Sequence, residues 1–226
     1  MSTQTAPQLP TFEPRWPAAL AVLAAIGLYA SLPSKLISDE HASGLIRFVV
    51  PALELALLIP LAVTAPYRHV NESGRRRKAA ITLIAIVSIA NAATLAFLIH
   101  FLLKSGGPGE GRQLLIAAAE IWWTNVIVFG LWYWELDGGG PPQRLKDPVA
   151  PRDFAFVQMT DPEVAAPGWH PRFVDYLYLS FTNASAFSPT DTMPLTRWAK
   201  LLMLAQAGIS IITLLLVAAR AVNILH

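Results

Sequence analysis

The stretch FVDYLYLSFTNASAF (173–187), SPTDTMP (188–194), LTRWAKLLMLAQAGISIITLLLVAARAVNIL (195–225) decides what kind of molecule this is. Its last part is too long and too apolar for the surface of a water-soluble domain. The first part is half polar, and the Ser/Thr/Pro turn between them breaks any continuous helix. A short helix, a tight turn and a long apolar helix read as a hairpin at membrane depth, where a channel or transporter places its pathway.

Composition agrees. Of the 226 residues, 54% are hydrophobic and only 14% charged, so a lipid bilayer is the expected solvent and partner. The formal charge of +2 comes from a small Lys/Arg excess, most of it between two apolar runs. Membrane topology explains that placement, and nucleic-acid binding does not. The absence of cysteine excludes disulfides, thiolate metal sites and cysteine nucleophiles. His41, His69, His100, His170 and His226 show no metal-ligand spacing, so neither a metal nor a cofactor is expected. With no nucleophile–base pair either, the chain does not read as an enzyme.

Working outward, residues 1–15 form a polar, Pro-containing tail, expected to be disordered. Region 16–136 holds four apolar runs, at 16–32, 45–64, 79–103 and 114–134. The first reads as a retained span, because its n-region has only Arg15 and a cut after Ala30 would leave bulky Leu28 at the −3 position. Pro51 and Pro60 interrupt the second, which neighbouring helices must compensate. In the third, Ser88, Ala92 and Ala96 recur every four positions and would let another helix approach closely. The fourth ends in Trp132-Tyr133-Trp134, an expected interfacial belt. Region 137–171, rich in Gly, Pro and charge, reads as an extramembrane surface loop with one short strand or helix near 154–159. Region 172–226 is the terminal hairpin. The fold class is therefore all-α, a polytopic transmembrane bundle of five to six spans.

Lys/Arg counts orient it. The basic loop at 66–78, with Arg68, Arg75, Arg76, Arg77 and Lys78, is expected to be cytoplasmic, on the inner face of the cell membrane. Six full crossings put eleven of the 17 Lys/Arg inside. A segment 173–187 that dips in from outside, as a channel pore helix does, leaves only five inside. One dipping from inside, with the C-terminus out, gives twelve. Charge thus disfavours the channel orientation and leaves crossing and inward re-entrance open; six spans is the expectation carried forward.

Polar residues at mid-span must face the bundle interior, because a charge at the bilayer centre costs about 2.5–3.5 kcal/mol or more. Glu54, Asn91 and Glu120 are such residues, either as a proton or cation relay or as glue between helices. On the last helix Gln206, Ser210, Thr213, Val217 and Arg220 form one stripe. On the segment before it Asp175, Tyr178, Thr182 and Ser185 form another, with Asn183 adjacent. Packing glue and a pathway lining fit these stripes equally. Asp191 and Thr192 before Pro194 read as the start of the long helix.

Two resemblances follow. FTNASAFSPTDTMPLTRWAK and its following helix resemble the pore module of potassium-type channels, with Asp191 and Pro194 matching the end of the filter motif and its proline. Ser188, Pro189 and Thr190 replace the filter's glycines and aromatic, so the turn Ser188, Pro189, Thr190, Asp191 is a degenerate filter. Glycine-free and proline-containing, it does not suit carbonyls that all point inward. The hairpin is also similar to a family of uncharacterised predicted bacterial inner-membrane proteins, through Asp175 to Phe181, the turn Ser188 to Thr192, Arg197 with Lys200, and Ala221-Val222-Asn223. That family supplies no activity. The expected function is conduction of ions or protons through a polar bundle interior, with a homo-oligomer as a candidate assembly. The alternative is a non-transporting scaffold or accessory subunit that docks a partner through its polar stripes.

Overall fold

The structure is a computed structural model that describes residues 16–30, 52, 55–56, 74–104, 111–147, 150–161, 163–186 and 191–224. The expected tail at 1–15, nearly all of the second apolar run and turn residues 188–190 lie outside these. Helix accounts for 81% of the described residues, as all-α requires. The elements are α1 (Trp16–Ala30), α2 (Gly74–Lys104), α3 (Gly111–Leu136), a 3-10 turn (Asp137–Gly139), α4 (Pro141–Lys146), β1 (Phe154–Phe156), α5 (Val157–Thr160), α6 (Phe173–Ala186), β2 (Thr192–Pro194) and α7 (Arg197–Ile224).

Among the described residues three stretches are long and apolar enough to cross a membrane: Arg77–His100, Leu115–Lys146 and Arg197–Ala219. Helix α3 is the centre, packed by α2, α6, α7 and α1. Burial runs opposite to that of a water-soluble bundle. On α7, Gln206, Ser210 and Thr213 are 0% exposed while Trp198 is 75%, Leu204 70% and Leu215 64% exposed. An exterior this apolar around a polar interior is what a lipid solvent demands.

Helix α3 stops where the sequence reads Asp137-Gly138-Gly139-Gly140-Pro141-Pro142. Gly138, Gly139 and Gly140 take φ of 55°, 81° and 91°, conformations that side chains resist, and Pro141 then opens α4. At Gly140 a Cβ would sit 2.9 Å from the Glu135 carbonyl and 3.0 Å from Arg77 Nε. Gly140→Ala is therefore expected to lose about 1–3 kcal/mol, read as a lower unfolding midpoint in detergent; an unchanged midpoint would contradict this close approach.

Expectations for the middle of the chain need correction. Tyr133 and Trp134 are fully buried rather than an interfacial belt, and half-buried Trp132 donates its Nε1 hydrogen to Ser88 Oγ at 2.9 Å. The region after α3 carries the short strand expected near 154–159, β1, but packs it inward instead of leaving it at the surface. Phe154 and Phe156 of β1 are buried, with ring centroids 5.1 Å from Tyr133 and 5.3 Å from Tyr176. Aromatic burial pulls the loop onto the helix ends. Of the small-residue stripe, Ser88 meets α3 through Trp132, while Ala92 and Ala96 are exposed, and α2 buries Ala80, Ile84, Val87, Asn91, Leu95 and Leu98 instead.

The terminal region folds unlike a simple hairpin. β2 pairs antiparallel with β1, Phe154 opposite Pro194 and Phe156 opposite Thr192, so Thr192 to Pro194 is strand and not the start of the helix. The helix begins at Arg197, capped by Thr196, whose Oγ accepts the Ala199 N–H at 3.3 Å. Thr196 also donates to Asp153 Oδ1 at 2.7 Å, and the Asp153 N–H donates to Asp137 Oδ1 at 2.7 Å. The first turns of α6 meet the same place: Tyr176 donates to Asp137 Oδ2 at 2.6 Å. Helices α6 and α7 thus both begin at the Asp137 end of α3. The 14 residues of α6 give about 21 Å at 1.5 Å per residue, short of a hydrocarbon core of roughly 30 Å.

Candidate functional site

The candidate site is a polar hub joining α3, α6 and α7, centred on Gln206. Each group arrives there through helical spacing: Asn125 and Tyr133 from α3, Ser180 and Asn183 from α6, Gln206 and Ser210 from α7. All six are buried. Gln206 Oε1 accepts from Tyr133 OH at 2.6 Å and from Asn183 Nδ2 at 2.9 Å. Its Nε2 donates to the Ser180 carbonyl at 2.9 Å and to Ser180 Oγ at 2.6 Å. Both acceptor positions and both donors of one amide are used, which saturates it.

Surrounding bonds tie backbone to side chain. Asn125 Nδ2 donates to the Gln206 carbonyl at 3.2 Å and to Ser210 Oγ at 3.0 Å. Asn183 Nδ2 also donates to the Met203 carbonyl at 3.0 Å, and Ser180 Oγ to the Val126 carbonyl at 2.6 Å. In a medium without competing water such a network rigidifies its helices, and a broken member is expensive.

A second polar cluster closes the end of the bundle. Asp137 is 0% exposed; besides the Asp153 N–H and Tyr176, its carboxylate accepts the Phe154 N–H at 3.2 Å, with Arg152 Nη1 3.9 Å away. Buried Arg144 donates to the Trp134 and Asp137 carbonyls at 2.7 and 2.8 Å and stacks over the Tyr176 ring at 5.1 Å. Arg77 of α2 donates to the Glu135 carbonyl at 3.0 Å. The cluster clasps α2, α3, α4, β1, α6 and the start of α7 together.

The structure brings together Asn183, Gln206 and Ser210 of the expected residues. Thr213 is buried on the same stripe but bonds back to the Ile209 carbonyl at 2.8 Å. Asn91 lies at the interface of α2 and α3, donating to the Ile121 carbonyl at 3.4 Å, one residue along from buried Glu120. The expected stripe on α6 is split: Thr182 is buried, Asp175 half-buried, Tyr178 and Ser185 exposed. Thr182 and Ser185 bond to carbonyls of their own helix. Asp175, in the first turn of α6, accepts the Arg172 N–H at 2.7 Å. Burial holds its carboxyl above the usual range, against the lowering pull of that bond and of the Arg172 and His170 charges. Asp191 is exposed and accepts from Thr192 Oγ at 3.3 Å. Glu54, Ser188, Pro189, Thr190 and the Arg220 side chain lie outside the described residues.

Sequence reasoning missed Asn125, Tyr133 and Ser180 in the hub, and Asp137, Arg144 and Asp153 in the clasp. Asn125 and Tyr133, eight residues apart on one helix face, carried a signal; Asp137, placed with the following loop, did not. Among the described residues no group of three His, Cys, Asp or Glu side chains could hold a metal. Comparison with family models, with curated proteins and with solved structures finds no match to the chain.

Proposed function

We propose that this chain is a multi-pass protein of the cell membrane in which α6 is a re-entrant helix dipping from the cytoplasmic face, and that the module formed by α6, β2 and α7 serves the conduction of an ion or proton. One observation carries this reading: α6 and α7 start at the same end of α3, with β2 back at that end between them. A helix that goes in and a chain that returns on the same side is tolerated at membrane depth only where protein or a water-filled path surrounds it. The orientation is supported by charge. Arg77, Arg144, Lys146, Arg152, Arg172, Arg197 and Lys200 stand in or beside the elements at the Asp137 end, and the twelve-to-five distribution of Lys/Arg then follows the positive-inside bias.

The hub changes which residues carry the path. Asn183, Gln206 and Ser210 spend their hydrogen bonds on one another and on neighbouring helices, so their role is to hold α6 in place. Among the described residues, Glu120 is a carboxylate buried at mid-helix on α3 beside Asn91, and we assign proton transfer to it. Glu120→Gln is expected to abolish pH-dependent flux into liposomes while leaving expression intact.

Saturation of the hub favours a second reading, a non-transporting membrane subunit in which the locked module docks a partner. Flux that is absent from the parent protein or unchanged by Glu120→Gln would reject the conduction reading. A protein that co-purifies in detergent and is lost on altering the exposed Tyr178 and Ser185 face would support the second.

A further inference from the structure

We propose that the groove between α1, α3 and α6 holds one acyl chain of a membrane phospholipid. The groove has a volume of about 680 Å³, and its walls are almost wholly apolar. Its origin is the hub: Ser180 and Asn183 turn one side of α6 onto α7, leaving Val174, Tyr178 and Phe181 on the other. Helix α1 meets this side with Ala21, Ala24 and Gly27, three and three apart on one face. Small residues opposite Trp123 and Phe181 leave a channel rather than a packed seam; a Cβ added at Gly27 meets nothing within 4 Å.

Chemistry selects the occupant. Walls whose surface is almost wholly apolar offer little to water, an ion or a headgroup, and the volume is that of a ligand site. Exposed Arg172 stands two residues before Val174 of the groove wall, within a side chain's reach along the chain, and is the cation assigned to the phosphate of the same lipid. An acyl chain gains little by transfer from surrounding acyl chains, so it is held by close packing against these walls. Filling the groove therefore removes it.

The inference rests on the membrane location and not on conduction. Protein reconstituted in vesicles of phosphatidylethanolamine and phosphatidylglycerol, then extracted in mild detergent, is expected to retain one phospholipid per chain in native mass spectrometry. Gly27→Phe should lower retention about tenfold, equivalent to about 1.4 kcal/mol, with flux unaffected. Equal retention by parent and variant would overturn the proposal, as would a disulfide between cysteines placed at Ala24 and within 45–64, which would give the groove to the chain's own second apolar run. If Gly27→Phe does not fold, quenching of Trp123 fluorescence by a phospholipid brominated at mid-chain decides. Quenching lost in Trp123→Phe and saturating at a low brominated fraction supports the site; quenching proportional to bulk brominated lipid overturns it.

Discussion

Gln206→Leu is expected to lower stability by on the order of 3 kcal/mol and to release α6 from α7. The substitution keeps the bulk of the side chain and removes every hydrogen bond it makes. Tyr133 OH, the second bond of Asn183 and the acceptors on Ser180 lose their partner at a site 0% exposed. Each interhelical bond in a bilayer averages about 0.6 kcal/mol, with a maximum near 1.7, and each buried group left unpaired adds about 1–3 kcal/mol unless water reaches it. Gln206→Glu keeps the acceptors for Tyr133 and Asn183 but sets an oxygen against the Ser180 carbonyl and buries a charge when ionised, so it should cost at least as much as Gln206→Leu. Unfolding of the purified protein in lipid-detergent mixtures measures both. A loss below about 0.5 kcal/mol for Gln206→Leu, within the range of an ordinary surface change, would mean that the hub does not hold the helices.

Asp137→Ala should cost about 3–5 kcal/mol, the range for breaking a buried charged pair. Three donors, two backbone N–H groups and Tyr176 OH, converge on this carboxylate. Its removal frees β1 and the first turn of α6 together, so hydrogen exchange at Asp153 and Phe154 should rise in the same variant. Asp137→Asn retains an oxygen for the two N–H groups and an amide that the Tyr176 oxygen can accept from, and should lose less than half as much. Equal losses in the two variants would show that the negative charge beside Arg152, and not the donor count, is what matters there.

How far the sequence reached depended on whether a residue's partner was local. Helix bounds were legible because Gly/Pro punctuation and apolar length act along the chain: the runs at 79–103 and 114–134 are the cores of α2 and α3. The stripe Gln206, Ser210, Thr213 was legible because polar residues on an apolar helix must turn inward. Asn183 lay beside the expected α6 stripe, since three-four spacing alone does not tell which face of a short helix is buried; packing against Trp134 and Tyr133 decides that. Asp137 was read as a loop residue because its partners, Asp153 and Tyr176, are 16 and 39 residues away. The strand at 192–194 hid behind a plausible cap at Asp191, because its partner, β1, is likewise distant in sequence.

The central claim is that the chain goes in along α6 and returns to the same side before α7. Because it contains no cysteine, single cysteines at Thr160, Asp191 and Gly107 can be tested with an impermeant thiol reagent in intact cells and in inverted vesicles. The account predicts that Thr160→Cys and Asp191→Cys react from one and the same face, the cytoplasmic one, and Gly107→Cys from the other. Asp191→Cys reacting with Gly107→Cys, opposite to Thr160→Cys, would make α6 a full crossing and contradict it.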